Sequence, residues 1–525
     1  MDIINIISFE GVIFMLTVKV SHAQYQDFVE TFLGKFFIQN NQQITLFERS
    51  SLITKIWSTD LTGIVPLIQS TYSKSNQGAP PKDAVALLRS LIIMAYCKET
   101  SISSWIKTLR SEPFYAILSG FIPACHSPSK TEGILSDQIP GIGTFYDFMD
   151  RLIYKDKLLY KSKLRKFKRK PSKKQKKNQK MNNSKSGVVE RLVKRVLKYD
   201  DSKLSDRIES KMNNILKELF VIPSLSMGIL GDPSKLNIAG DGTCMPTQAS
   251  PYGKKVCDCK LKPGERCDCY RKFTDPSATW GWDSFNEHYY YGHTYHGFTA
   301  CDSFYSLPIH IKFVSAARHD SVTGVYALKE LVDLYPEIKF HSIALDSAYD
   351  ANAFYLLCMH YGINPIIDLN SRSLKPSANS EFVKLDKNGI PHGNICGHQL
   401  RNWGIVSKEY RHKWLFPVQC AHCEKCPMKS NQTHYTKTLD NPRYFTPILR
   451  GSKQWKSLYK RRSTTERCWD RINNDFHAEK AIIYSVERRI TRVFLGSFCC
   501  FIDAWASEKL VTLADIFPIF QNIAA

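Results

Sequence analysis

Two short apolar runs, Leu236–Asp241 and Phe340–Leu345, each lead into an aspartate, Asp241 in the first case and Asp346 in the second. Their patterning predicts strands. Gly297–Phe304 and Leu307–Val314 read as two more, with Ile309, Ile311 and Phe313 on one face of the latter. A helical period over Val322–Leu334 precedes Phe340, and another over Ala351–Tyr361 stops at Gly362, a residue suited to a helix C-terminus. Ile363–Leu369 closes the series as a strand. The order β-β-β-α-β-α-β predicts an α/β fold in which helices cover a mixed sheet.

A chain of 525 residues exceeds what one apolar core usually organises, and this one divides by pattern. Residues 1–154 read as an all-α, DNA-binding domain, with Ala84, Leu87, Leu88, Leu91, Ile92 and Ala95 on one helical face behind Pro80 and Pro81. Shorter helices are expected at Ser101–Ser111, Pro113–Phe121 and Gly143–Ile153. Residues 155–200 read as a solvated linker or arm, because Lys161–Lys180 holds twelve basic residues and no acid, a run that repels itself and buries nothing. The α/β core begins at 230–370 and is interrupted by 371–450, an irregular or β insertion rich in Cys, His, Asn and Pro. Helices over 451–525 complete it.

Lys and Arg number 72 against 49 Asp and Glu, a net charge of +23 that is still +11 without the twelve of the basic run. A polyanionic partner is implied, nucleic acid first. No segment reaches eighteen uninterrupted apolar residues, so insertion in a membrane is not expected. Sixteen cysteines without a secretory leader point to reduced thiols in a cytoplasm and not to a disulfide scaffold.

Cleaving a phosphodiester without a covalent intermediate requires a strong oxygen nucleophile and stabilisation of the departing oxygen. Two divalent ions roughly 3.5–4 Å apart supply both, and three acidic groups from separate elements must converge to hold them. An aspartate at one strand end is commonly a turn or cap residue. Here Asp241 and Asp346 end the first and fourth strands, which are neighbours in the inferred sheet, and Gly240 and Gly242 leave room beside the first. A third acid, Glu466, follows Tyr459 and Arg462 at spacings that place all three on one helical face. Its carboxylate suits the metal site, the guanidinium a phosphate, and the phenol an adjoining phosphate or base.

Tyr459, Arg462 and Glu466 resemble the Tyr-(2)-Arg-(3)-Glu-(6)-Lys signature of bacterial insertion-sequence transposases of the DDE type, within the ribonuclease-H-like superfamily. Asp241-Gly-Thr is similar to their first-aspartate motif, and Asp275-Pro-Ser-Ala-Thr-Trp-Gly-Trp, continuing to Tyr291-Gly-His, to their loop and second strand. Pro81-Lys-Asp-Ala-Val-Ala-Leu-Leu-Arg-Ser-Leu resembles the helical domain that precedes their core. The resemblance implies a ribonuclease-H-like fold and Mg2+ or Mn2+ held by Asp241, Asp346 and Glu466. It also implies cleavage at terminal inverted repeats, joining of the 3′ ends to target DNA, and a homodimer that pairs two element ends in the nucleoid of a bacterial cytoplasm. The signature lysine falls on Asn473, which offers a hydrogen bond without charge; Lys480, two turns further on, is its candidate substitute for contacting DNA. A nuclease that cuts without joining, and a zinc-stabilised DNA-binding protein without catalysis, remain the alternatives.

Two cysteine sets have spacings compatible with structural zinc. Cys420, Cys423 and Cys426, with Cys396, His398 or His422 as fourth ligand, are the better candidate; Cys257, Cys259, Cys267 and Cys269 form CxC-x7-CxC and are the weaker. Trp403 and Trp414 are either base-stacking or core residues.

Overall fold

A computed structural model describes residues 16–74, 80–123, 139–158, 160, 162–167, 170, 187–260, 265, 267–284, 286–370, 383–406, 409–416, 433–479 and 483–521. The first helices are α1 (His22–Leu33), α2 (Gln43–Glu48), α3 (Ser50–Trp57), α4 (Ile64–Ile68), α5 (Ala84–Tyr96), α6 (Ile102–Ser111), α7 (Pro113–Ser119) and α8 (Ile142–Arg151). Asp83 caps α5, its carboxylate accepting from the Val85 N–H at 2.8 Å. The expected single apolar face understates this helix: Ala84 through Ala95 are all buried. Arg89 is accommodated by stacking 3.4 Å from the Tyr25 ring centroid and donating to the Ser119 carbonyl, and Ser90 accepts from Trp105 Nε1 at 2.9 Å.

The segment expected to be a solvated arm contains a strand, β1 (Leu164–Lys166), and a helix, α9 (Val188–Lys198). After α10 (Ser210–Leu216) and α11 (Ile222–Ser226), β2 (Leu236–Pro246) enters the main sheet. There follow β3 (Lys254–Lys255), β4 (Tyr270–Lys272), β5 (Thr279–Asp283), β6 (His288–Ala300), β7 (Pro308–Ser315), α12 (Asp320–Leu334), β8 (Phe340–Leu345), α13 (Asn352–His360) and β9 (Asn364–Ile367). β6 starts at His288 and not at Gly297, and β5 is an additional strand. Tyr290 through Ala300 are buried on both faces of β6, so the alternation that marks a half-buried strand is missing there.

The sheet runs β5-β6-β2-β8-β9, with β7 also paired to β6. β2 is antiparallel to β6 and parallel to β8, which is parallel to β9. This is the strand order of a ribonuclease-H-like core, as the sequence order predicts. Within 371–450 lie β10 (Val383–Leu385), β11 (Pro391–Gly393), β12 (Arg401–Val406), β13 (Arg411–Leu415) and β14 (Thr433–Lys437), the last three forming an antiparallel sheet. Trp414 is a core residue there, buried and donating to Thr436 Oγ1 at 2.9 Å, whereas Trp403 is exposed.

The chain ends in α14 (Lys453–Lys460), α15 (Ser463–Asp470), α16 (Val486–Lys509) and α17 (Leu513–Ile516). α16 has the length and composition to cross a bilayer, but 83% of its most apolar stretch is buried inside the protein, packed on α5 among others. Tyr96 at the end of α5 donates to the Cys499 carbonyl and to Asp503, and Trp505 donates to Ser224 at 2.7 Å. One apolar cluster therefore extends from Leu16 through the sheet to Phe520. Leu91→Ala in α5 should cost about 2–5 kcal/mol by leaving a cavity. Because the cluster is continuous, hydrogen exchange should show protection falling in β2 and β8 as well as in the N-terminal helices. A loss confined to residues before 155 would mean that the two regions unfold independently.

Candidate active site

Asp241 lies on β2, the strand at the centre of the sheet, directly across from Gly297 on β6. Its neighbours are glycine because nothing larger fits: a Cβ on Gly240 would stand 2.7 Å from the Phe298 ring, and one on Gly242 2.7 Å from Asp320 Oδ1. The parallel register pairs Ala239 with Ala344, so Asp241 and Asp346, each two residues further on, end level on adjacent strands. Asp346 also caps the turn Ser347–Tyr349, accepting from the Ala348 N–H at 3.0 Å.

A third acid, Asp320, opens α12 and was not among the expected site residues. It was findable. β7 is parallel to β2, so the loop after β7 returns α12 to the same carboxyl edge of the sheet, where α/β proteins place their sites. In the sequence alone the helical period is legible only from Val322, which leaves Asp320 outside the helix and unmarked.

These carboxyls disturb one another. Burial, and then Asp346, push the Asp241 carboxyl up to about 7, while the Gly242 N–H and Arg462 pull the other way. Burial also raises Asp320, with Asp346 adding to it, and raises Asp346 against the opposing pull of the Ala348 N–H and Arg462. Tyr349, fully buried and without a hydrogen-bond partner for its hydroxyl among the described residues, lies within the field of all three. Crowded hard oxygen donors, which Arg462 only partly offsets, are the chemistry a divalent cation fits.

Glu466 reaches this edge from a helix. Thr465 hydrogen-bonds Thr299 at 2.7 Å, and Trp469 packs edge-on against Tyr295 and covers Gly297, which docks α15 across β6. Arg462 joins the two sides, with Nη2 2.7 Å from Glu466 and Nη1 3.6 Å from Asp241. A cavity of about 260 Å³ opens between Asp241, Gly242, Glu466, Asn473 and Glu479.

Tyr459, Arg462 and Glu466 do not share one uninterrupted helix. α14 ends at Lys460 and α15 begins at Ser463, because the Arg461 and Arg462 N–H groups bond three residues back, to Leu458 and Tyr459, and tighten the turn. The turn lets Arg461 pair with Asp302. Tyr459 stacks on Trp455 at 4.8 Å. Asn473 departs from the expected DNA contact: it is buried, and its amide oxygen accepts from the Tyr295 hydroxyl. Lys480, Cys420, Cys423 and Cys426 lie outside the described residues, and Cys396 sits half-buried after β11. Among the described residues it is the other cysteine set, Cys257, Cys259, Cys267 and Cys269, that converges.

Residues 234–501 match the family profile described as transposase DDE domain. A search of curated proteins finds no match.

The raised Asp241 carboxyl sets a pH dependence. The folded state keeps its proton up to about pH 7, whereas the unfolded chain releases it near the ordinary aspartate value of 3.8, so this group makes folding less favourable as pH rises through that window. Binding of Mg2+ requires the ionised form. Thermal stabilisation by Mg2+ should therefore be small at about pH 5.5 and grow to a plateau by about pH 8. In Asp241→Asn the growth with pH should be largely lost, and an equal Mg2+ effect at both pH values in the wild type would contradict the assignment.

Proposed function

Since the chain belongs to the transposase DDE-domain family, an enzyme family acting on DNA with divalent metal, we propose that Asp241, Asp346 and Glu466 are its catalytic carboxylates. The reaction we propose is hydrolysis at the inverted-repeat ends of a mobile element, then joining of the freed 3′ ends to target DNA. The observation that carries this is the level placement of Asp241 and Asp346 on parallel strands, with Glu466 brought over them on α15. Two Mg2+ or Mn2+ ions held by these acids would activate the attacking oxygen and offset charge on the leaving one.

The remaining residues follow from their positions. Arg462, between Asp241 and Glu466, is the cation nearest the reacting strand and binds its phosphate by both nitrogens. Tyr459 lies beside it and contacts the adjoining phosphate or base. Asn473 holds Tyr295, and through it the seat of α15, so it is a positioning residue. The helices of residues 1–154 and the basic stretch of 155–200 supply most of the hold on element ends, and pairing of two ends requires at least a homodimer.

Glu466→Gln keeps size and most helix propensity but removes the charge. Element-end DNA should still be bound, while Mg2+-dependent cleavage should fall on the order of a thousandfold, as several kcal/mol of metal-held transition-state stabilisation is lost. A mere surface partner of Arg462 would cost well under about 1 kcal/mol and leave cleavage nearly intact. The assay compares wild type with Asp241→Asn, Asp346→Asn, Asp320→Asn and Glu466→Gln, each first shown to bind the same DNA. Near-normal cleavage by Glu466→Gln beside inactive aspartate variants would transfer the third role to Asp320 or Glu479.

A further inference from the structure

β3 and β4, which lie between β2 and β5, join β1 from before β2 in a second, smaller sheet of order β1-β4-β3. Its strands have three, three and two residues, too little to stand by themselves. Their pairing is also electrostatically adverse. Lys254 lies opposite Lys272, and Arg271 lies between Arg165 and Lys255. Like charges directly across a ladder destabilise it. Something must hold this ribbon together, and something must neutralise it.

The four cysteines in the β3–β4 connection answer the first need. All four sulfurs lie within 4.8 Å of one another, with Cys257 and Cys267 at 3.4 Å and Cys259 and Cys269 at 3.5 Å. Disulfides would require about 2.05 Å and would not bring the two pairs to one point. Four sulfurs each about 2.3 Å from a tetrahedral zinc are about 3.8 Å apart, close to what is seen. The Cys269 N–H already donates to the Cys267 sulfur at 3.3 Å, and Lys255 Nζ to the Cys259 carbonyl at 2.9 Å.

The second need is met from outside. Lys166, Lys254 and Lys272 are exposed, and among the described residues none of the three forms an ion pair. Tyr252 and Tyr270 are exposed among them, at 59% and 55%. Arg165 anchors the ribbon to the core, lying over the Phe273 ring at 4.4 Å and donating to the Tyr291 hydroxyl. Pro246, where β2 ends, is five residues beyond Asp241, about 17 Å along the strand or roughly five base pairs of duplex. Lysines are point charges without a planar fork, which suits phosphates and not base edges.

We propose that Cys257, Cys259, Cys267 and Cys269 bind one structural zinc ion, and that the ribbon it clasps holds the phosphate backbone of duplex DNA beside the cleavage site. The DNA half of this rests on the function proposed above; the zinc half does not.

Full-length protein purified under reducing conditions tests both. The double variant Cys257→Ser, Cys269→Ser should contain one zinc less per chain than wild type, and cobalt-loaded protein should lose thiolate charge-transfer absorption by one site. Zinc content unchanged by the substitutions would overturn the metal site. The triple variant Lys166→Glu, Lys254→Glu, Lys272→Glu should keep wild-type zinc and bind duplex DNA more weakly, with the slope of log affinity against log salt reduced by about 3, near 0.9 per phosphate. A wild-type slope in the triple variant, when wild type binds DNA, would overturn the ribbon's role alone. No duplex binding by wild type would instead overturn both the ribbon's role and the DNA-directed function.

Discussion

Three carboxyls crowd one edge of the sheet, at Asp241, Asp320 and Asp346; burial raises the proton affinity of each, and Asp346 adds to it at Asp241 and Asp320. Such an arrangement repels itself in the folded protein and persists only because packing around it is strong. The glycines show how tight that packing is. At Gly240, Gly242, Gly297 and Gly324 an added Cβ would come within 2.8 Å of a side chain, and three of those side chains, Phe298, Trp469 and Tyr349, are the aromatic walls of the site. A site that stores repulsion of this kind is prepared for a cation, which gains more from crowded anions than from separated ones.

The support extends far from the carboxylates. α16 lies in the middle of the molecule, tied to α5 through Tyr96, to α11 through Trp505 and to Asp275 through Arg489. Arg492 donates to the carbonyls of Glu99 and Phe476, which closes the chain between the first helices and the turn after α15. These buried guanidiniums have carbonyl or carboxylate partners, as the cost of burying charge demands. The helix that carries Glu466 is thus held by elements from both ends of the chain.

Positive charge is organised on two scales. Arg462 is within the site, where it bridges Glu466 and Asp241. The lysines of the β1-β4-β3 ribbon have no such partner among the described residues and form a row of uncompensated charge. Under the function proposed above, the first kind of cation would fix geometry at the reacting bond and the second would add affinity that salt screens.

The sequence by itself determined the strand order of the core and the places of Asp241 and Asp346, because strand periodicity and an acid at a strand end are local signals. It also marked Tyr459, Arg462 and Glu466 by spacing, an i to i+4 pair that does form between the last two. Only the tertiary structure decided what depends on distant contacts. β6 hid its start because both its faces are buried, and Leu164–Lys166 became a strand because Tyr270–Lys272 lies beside it. Asn473 turned inward to Tyr295, and Asp320 joined the aspartates through the return of α12 to the sheet edge. Among the described residues the fold gathers Cys257, Cys259, Cys267 and Cys269 to one point, which their spacing alone did not single out. Periodicity records which face of an element is apolar, but not which residue far along the chain that face will meet.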